Sequence, residues 1–176
     1  MYWEEVIELI KNHGEEPKST FPNPYDESDD YEVYFYERGT VKTKYIPIED
    51  FPESIKDNIK KYLKYNLTDL QIFSSLGASE GFGVHEDPDD VLIICLEGEI
   101  SYIVEKYHGF TAQEDAYIKN DPVILKPGDT IFIQKGLKHM GISSTVPRIC
   151  LSCGGARNVP KEEVTHYFGS GYRTKI

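Results

Sequence analysis

The sequence predicts an all-β core, an antiparallel sandwich or barrel, with helices in front of it. Three observations predict this. From about residue 68 onward come short stretches rich in Val, Ile, Leu, Phe and Tyr: "DLQIFSSLG", "VLIICLEG", "EISYIVEKY", "PVILKPGDTIFIQKG" and "RICLSCG". Gly, Asp and Pro separate them and no helical pattern intervenes, as expected of antiparallel strands joined by turns. At 176 residues and 20.2 kDa the chain also has the size of one domain with a sizeable core.

Taken in order, "YWEEVIELIKNHG" sets Trp3, Val6, Ile7 and Ile10 at helical spacing and stops at Gly14, a C-terminal signal. Residues 15–30 are rich in Pro, Asp and Ser and read as an irregular connection. "YEVYFYERGTVKTKYIPI" alternates aromatic and β-branched residues around a Gly-containing turn, which predicts a hairpin. Its aromatics Tyr31, Tyr34, Phe35 and Tyr36 read as packing residues. "PESIKDNIKKYLKYN" starts at Pro52 and places Ile55, Ile59, Tyr62 and Leu63 on one face, a second helix with its lysines in solvent. After the strands, "VPKEEVTHYFGSGYRTKI" predicts a short helix from Pro160 and a polar tail. The organisation is therefore residues 1–66 as helices and hairpin packed on a barrel, 67–158 as the barrel core, and 159–176 as helix and tail, one domain overall.

A formal net charge of -11 and a pI near 4.9 oppose phosphate backbones and anionic membrane surfaces, so neither nucleic acid nor membrane is an expected partner. No apolar run of membrane-spanning length is present, and "MYWEEVIELIKNHGEE" carries acids where a leader would carry Lys or Arg, so the expected location is the cytoplasm. Cys95, Cys150 and Cys153 do not make a secreted disulfide framework. In the strand "RICLSCG" the last two fall on opposite faces, as core residues rather than paired ligands.

Two stretches carry chemistry. In "GFGVHEDPDDVLIICLEGEI", residues 81–100, His85 and Asp87 stand two apart before an apolar strand. In "LKPGDTIFIQKGLKHMGISS", residues 125–144, tight turns bracket a short strand and deliver His139 at the start of the next. Two imidazoles and one carboxylate suit Fe(II), three ligands on one side of the ion and open positions on the other. Glu86, Asp89 and Asp90 read as a solvated rim, with Asp90 available to accept from a ligand imidazole. Lys126, Lys135 and Lys138 read as solvated. His13 reads as a helix-end residue, and His108 and His166, which lack partner spacing, as surface or packing residues.

The second stretch resembles the second motif of the cupin superfamily. Gly128, Gln134, Gly136 and His139 meet its spacing, with Gln134 where Pro is usual and Ser143 where Asn often sits. The first stretch resembles the first cupin motif through His85, Asp87 and Gly98, with Asp87 where a second His is common and Val91 in place of a Glu. The ordered pair, 52 residues from Asp87 to His139, is similar to the JmjC-like branch of 2-oxoglutarate oxygenases, which includes ribosomal-protein and asparaginyl hydroxylases. The likeness covers about residues 70–155.

This resemblance implies a double-stranded β-helix, the jelly-roll barrel of cupins, with the helices packed outside. It implies an Fe(II)-dependent dioxygenase in which His85, Asp87 and His139 hold the metal and 2-oxoglutarate and O2 are consumed to hydroxylate a small-molecule or protein substrate. Relatives often bind the distal carboxylate of 2-oxoglutarate with a Lys fifteen residues after the first His, and Ile100 stands there. The position of Arg148, nine residues after His139, resembles the Arg or Lys of other 2-oxoglutarate oxygenases. Tyr102, on the strand face of Ile100, and Ser152, on that of Arg148, are the accompanying candidates. Two alternatives stay open: a metal cupin that does not use 2-oxoglutarate, acting as a dioxygenase or isomerase, and a non-catalytic ligand-binding barrel. A homodimer, common among cupins, is also open.

Overall fold

The computed structural model describes residues 2–13, 41–76, 84–105, 122–142 and 146–169. Helix α1 (Trp3–His13) opens with Glu4 and Glu5 and closes with Lys11 and His13, the charge order its dipole favours. Val6, Leu9 and Ile10 form its buried stripe, and Ile7 falls at the margin, half-buried. Helix α2 (Glu53–Ile59) runs into a 3₁₀ stretch (Lys60–Tyr65) that ends at Asn66 in the left-handed region. Ile55, Ile59 and Tyr62 are buried, but Leu63, expected on that face, is 38% exposed. The tighter winding keeps Tyr62, three residues after Ile59, in line and turns Leu63 outward.

The strands are β1 (Val41–Lys42), β2 (Thr68–Ser75), β3 (Val91–Glu97), β4 (Ile100–Val104), β5 (Val123–Leu125), β6 (Thr130–Ile133), β7 (His139–Ile142), β8 (Arg148–Gly154) and β9 (His166–Phe168). They form a six-stranded sheet ordered β1-β2-β8-β3-β6-β9 and a three-stranded sheet ordered β5-β4-β7. The two face each other as a double-stranded β-helix, and one hydrophobic cluster fills the space between them. A second cluster lies on the other face of the larger sheet, where α1 and α2 pack against Ile72, Leu92, Ile94 and Leu151. Each fully buried Ile or Leu there contributes roughly 1.5–3 kcal/mol.

Strand β3 has no polar face because it has no solvent face. Leu92, Ile94 and Leu96 meet the helices, and Val91, Ile93 and Cys95 meet the interior. That double burial accounts for the unbroken apolar run in the sequence. On β8, Cys150 faces the interior and Cys153 the helix side, as the odd separation predicts.

The C-terminal helix does not form. From Pro160 the chain makes only a 3₁₀ turn (Lys161–Glu163), and Val164 is extended with φ -116°. β-branched Val164 and Thr165 disfavour another turn. Thr130 and Thr165 instead exchange amide-to-hydroxyl bonds at 3.1 and 3.0 Å, and β9 joins β6 in parallel, with Tyr167 stacked on Phe132. Of the predicted hairpin, only its second half is described, where β1 pairs antiparallel with β2. Gly14, Tyr31, Tyr34, Phe35, Tyr36, His108, Ser143 and the polar tail from residue 170 lie outside the described residues. Among the described residues no helix is long and apolar enough to cross a membrane.

Gly98 makes the corner at which the chain leaves one sheet for the other. Its φ is +78°, and a Cβ there would stand 2.0 Å from the carbonyl oxygen of Pro147. Left-handed strain costs a non-Gly residue about 1–3 kcal/mol, and the contact with rigid backbone adds to it. Gly98→Ala is therefore expected to lower unfolding free energy by at least about 3 kcal/mol, read from the urea midpoint at unchanged slope.

Candidate functional site

His85, Asp87 and His139 come together at one end of the barrel, each offering a ligand atom within 4.8 Å of the others. The folding of the two sequence stretches onto each other brings this about. His85 and His139 form an isolated antiparallel bridge, each donating its N–H to the other's carbonyl at 3.0 and 2.8 Å. The turn before His139 then grips the first stretch: the amide of Gly136 donates to the carbonyl of Asp87 at 3.0 Å, and that of Lys135 to Asp90 Oδ1 at 2.8 Å. Gly136 holds this turn at φ +75°, which a glycine adopts without strain.

Asp90 is thus buried, 6% exposed, and is no part of a solvated rim. For the His139 imidazole the acceptor is the carbonyl of Leu137, 2.9 Å from Nδ1. Asp90→Ala leaves the buried bond of the Lys135 amide unmade and is expected to cost about 1.5–3 kcal/mol of stability, read from the urea midpoint. Glu86 is exposed and Asp89 half-buried, while Lys126, Lys135 and Lys138 are exposed as expected.

A carbonyl oxygen only accepts, so His139 donates from Nδ1, and its Nε2 faces Asp87, whose Oδ2 is 3.3 Å away. An imidazole nitrogen and a carboxylate at this distance share a cation, either a proton on Nε2 or a metal ion in its place. The donor set therefore fits a metal on the structure's own terms. Burial pushes the Asp87 carboxyl up, but the hydrogen bond and charge of His139, with smaller contributions from His85 and Lys42, outweigh it and hold the group below the usual carboxylate range. It is ready to serve as an anionic ligand.

From these residues a cavity of about 160 Å³ leads into the barrel. Val91, Ile93, Ile100 and Phe73 supply apolar wall, and Tyr102, Arg148 and Ser152 line it too. All six residues selected from the sequence therefore border one space. Arg148 is 3% exposed; its Nε donates to Ser75 Oγ at 3.1 Å and its Nη1 to the carbonyl of Ile142 at 3.4 Å. These bonds fix the plane of the guanidinium. Burial pushes the Tyr102 phenol far up, so it keeps its proton and stays a donor.

The sequence reading did not select Ser75, Tyr45, Asp69 or Gln71. Ser75 pairs with Arg148 across the β2–β8 ladder, and its signal was a second consecutive Ser at the end of an apolar strand. Tyr45, Asp69 and Gln71 line the cavity. Asp69 does so with a φ of +52° inside β2, where the ladder register shifts.

A family model described as JmjC domain matches residues 44–163. No curated protein matches the sequence. Among solved structures, the chain is similar to the ribosomal oxygenase YcfD of Escherichia coli. One YcfD structure aligns at TM-score 0.51 and 20% identity over 70% of this chain and 33% of that one. Another aligns at TM-score 0.51 and 20% identity over 91% and 44%. A third, in complex with cobalt and 2-oxoglutarate, aligns at TM-score 0.49 and 23% identity over 65% and 31%. The chain spans less than half the length of YcfD, and at these identities the likeness is one of fold.

Proposed function

Because the chain belongs to the JmjC domain family, we propose that it is an oxygenase that uses Fe(II), 2-oxoglutarate and O2 to hydroxylate a substrate, releasing succinate and CO2. One observation carries this reading: a single cavity joins a two-His, one-Asp cluster to a buried, oriented arginine. Bound iron would supply the activation of O2, coupled to oxidative decarboxylation of the keto acid. His85, Asp87 and His139 would hold it. The Leu137 carbonyl keeps the His139 proton on Nδ1 and so keeps Nε2 available as a donor. Arg148 would receive the distal carboxylate, which its planar fork matches and a point charge does not. Tyr102 and Ser152 add hydroxyl contacts from the cavity wall, and the apolar side chains of Val91, Ile93 and Ile100 exclude water between the two ends.

Anaerobic titration of the protein with Fe(II) and 2-oxoglutarate tests the proposal, read by the visible charge-transfer band of a chelated keto acid. The band is expected in the wild type and is expected to weaken in Arg148→Ala. Ile100, apolar where relatives often place the carboxylate-binding Lys, favours a second reading, a metal cupin that does not use 2-oxoglutarate. Tight iron binding that depends on the three ligands but never gives the band would select it. Absence of iron binding would remove both.

A further inference from the structure

The proposed chemistry uses none of the three cysteines, all of which are buried and reduced. Two of them face each other. Cys95 and Cys150 are Cα partners across the β3–β8 ladder. The main chain of Cys95 is engaged on its other side: its N–H donates to the carbonyl of Asp129 at 3.0 Å, and its carbonyl accepts from Gly128 at 2.9 Å. In an antiparallel ladder both groups of a residue point the same way. Toward β8, Cys95 is therefore in a non-hydrogen-bonded pair, where Cα atoms stand about 4.5 Å apart and side chains are closest.

A disulfide needs a Cα separation of about 4.4–6.8 Å, which a non-hydrogen-bonded pair meets, and the register of this ladder shifts only beyond Cys95. Both side chains lie in the cluster between the sheets, 0% and 1% exposed, whereas Cys153 is on the helix side and out of reach. We propose that Cys95 and Cys150 are a redox modification site, a cross-strand disulfide that forms reversibly inside the barrel.

With hydrogen peroxide as oxidant the step balances. The Cys95 thiolate attacks one peroxide oxygen, the O–O bond breaks, and with one proton the products are water and a sulfenic acid on Cys95. The Cys150 thiol then attacks that sulfur; the S–S bond forms, the S–O bond breaks, and the hydroxyl leaves as a second water with the Cys150 proton. Two electrons pass from two thiols to one peroxide. Attack by Cys150 first, with Cys95 resolving, balances in the same way and gives the same bridge. Cys150 stands between Arg148 and Ser152 on the inward face of β8, so the bridge would fix the strand that carries the proposed cosubstrate anchor. That consequence rests on the functional reading above; the disulfide does not.

The test treats the reduced, folded, full chain with hydrogen peroxide, then unfolds, alkylates and weighs it. The expected product has lost two hydrogens, keeps one alkylatable thiol, yields a peptide linked between Cys95 and Cys150, and returns to three thiols with dithiothreitol. Cys153→Ser should give the same linked peptide with no alkylatable thiol left, which keeps the test open even if replacing Cys95 or Cys150 prevents folding. Three alkylatable thiols after peroxide, oxygen added to Cys95 without a link, or a link to Cys153 would each overturn the proposal.

Discussion

Asp87→Ala is expected to abolish 2-oxoglutarate decarboxylation and to weaken Fe(II) binding by well over about 100-fold, beyond the 10–100-fold that loss of an outer partner costs. The carboxylate is the one anionic donor of the cluster, and without it two neutral imidazoles face a divalent ion with no compensating charge. Folding should survive. The bond that fixes this stretch to the second turn, Gly136 N–H to the Asp87 carbonyl, belongs to the main chain and persists in the variant. The diagnostic result is thus an unchanged far-ultraviolet spectrum and melting transition with iron affinity and succinate release both lost. Succinate release at the wild-type rate would remove the oxygenase reading.

Arg148→Ala is expected to raise the KM for 2-oxoglutarate by between about 30-fold and a few thousand-fold, the range that follows from losing 2–5 kcal/mol when one partner of a buried charge pair is truncated. Arg148→Lys should recover only part of this, because the ammonium keeps the charge and loses the fork that the Ser75 and Ile142 bonds orient. Iron affinity without cosubstrate should hardly change, since Arg148 is not among the clustered donors. A KM unaffected by either substitution would show that the carboxylate lies elsewhere or that 2-oxoglutarate is not the cosubstrate.

The barrel was legible because its strands are short, apolar and punctuated, and the metal-type cluster because both stretches announce their turns. What escaped depended on contacts distant in sequence. Asp90 reads as a rim acid among Asp87, Pro88 and Asp89, and its bonds to the amides of Lys135 and Ala156, 45 and 66 residues away, go with its burial. Ser75 gains meaning only from its place opposite Arg148. Leu63 was misplaced for a local reason, a change of helical pitch that composition does not encode. The segment from Pro160 was misread because three helix-compatible residues, Lys161–Glu163, precede a strand that exists only by pairing with β6.

The mutual main-chain bridge of His85 and His139 has a bearing on how this protein would live with changing ions. In small zinc domains the ion assembles its own ligands, and chelators unfold the chain. Here both histidines are already tied to each other by a reciprocal pair of backbone bonds, so the main chain that carries the two imidazoles is set before any ion arrives. Stripping the ion should leave the barrel folded, with a melting temperature lowered only by the lost binding free energy, and amide exchange at His85 and His139 slow. Two imidazoles and a carboxylate would take several divalent ions in the Irving–Williams order, so a copper- or zinc-rich medium is expected to fill the cluster with an ion that does not support the proposed chemistry.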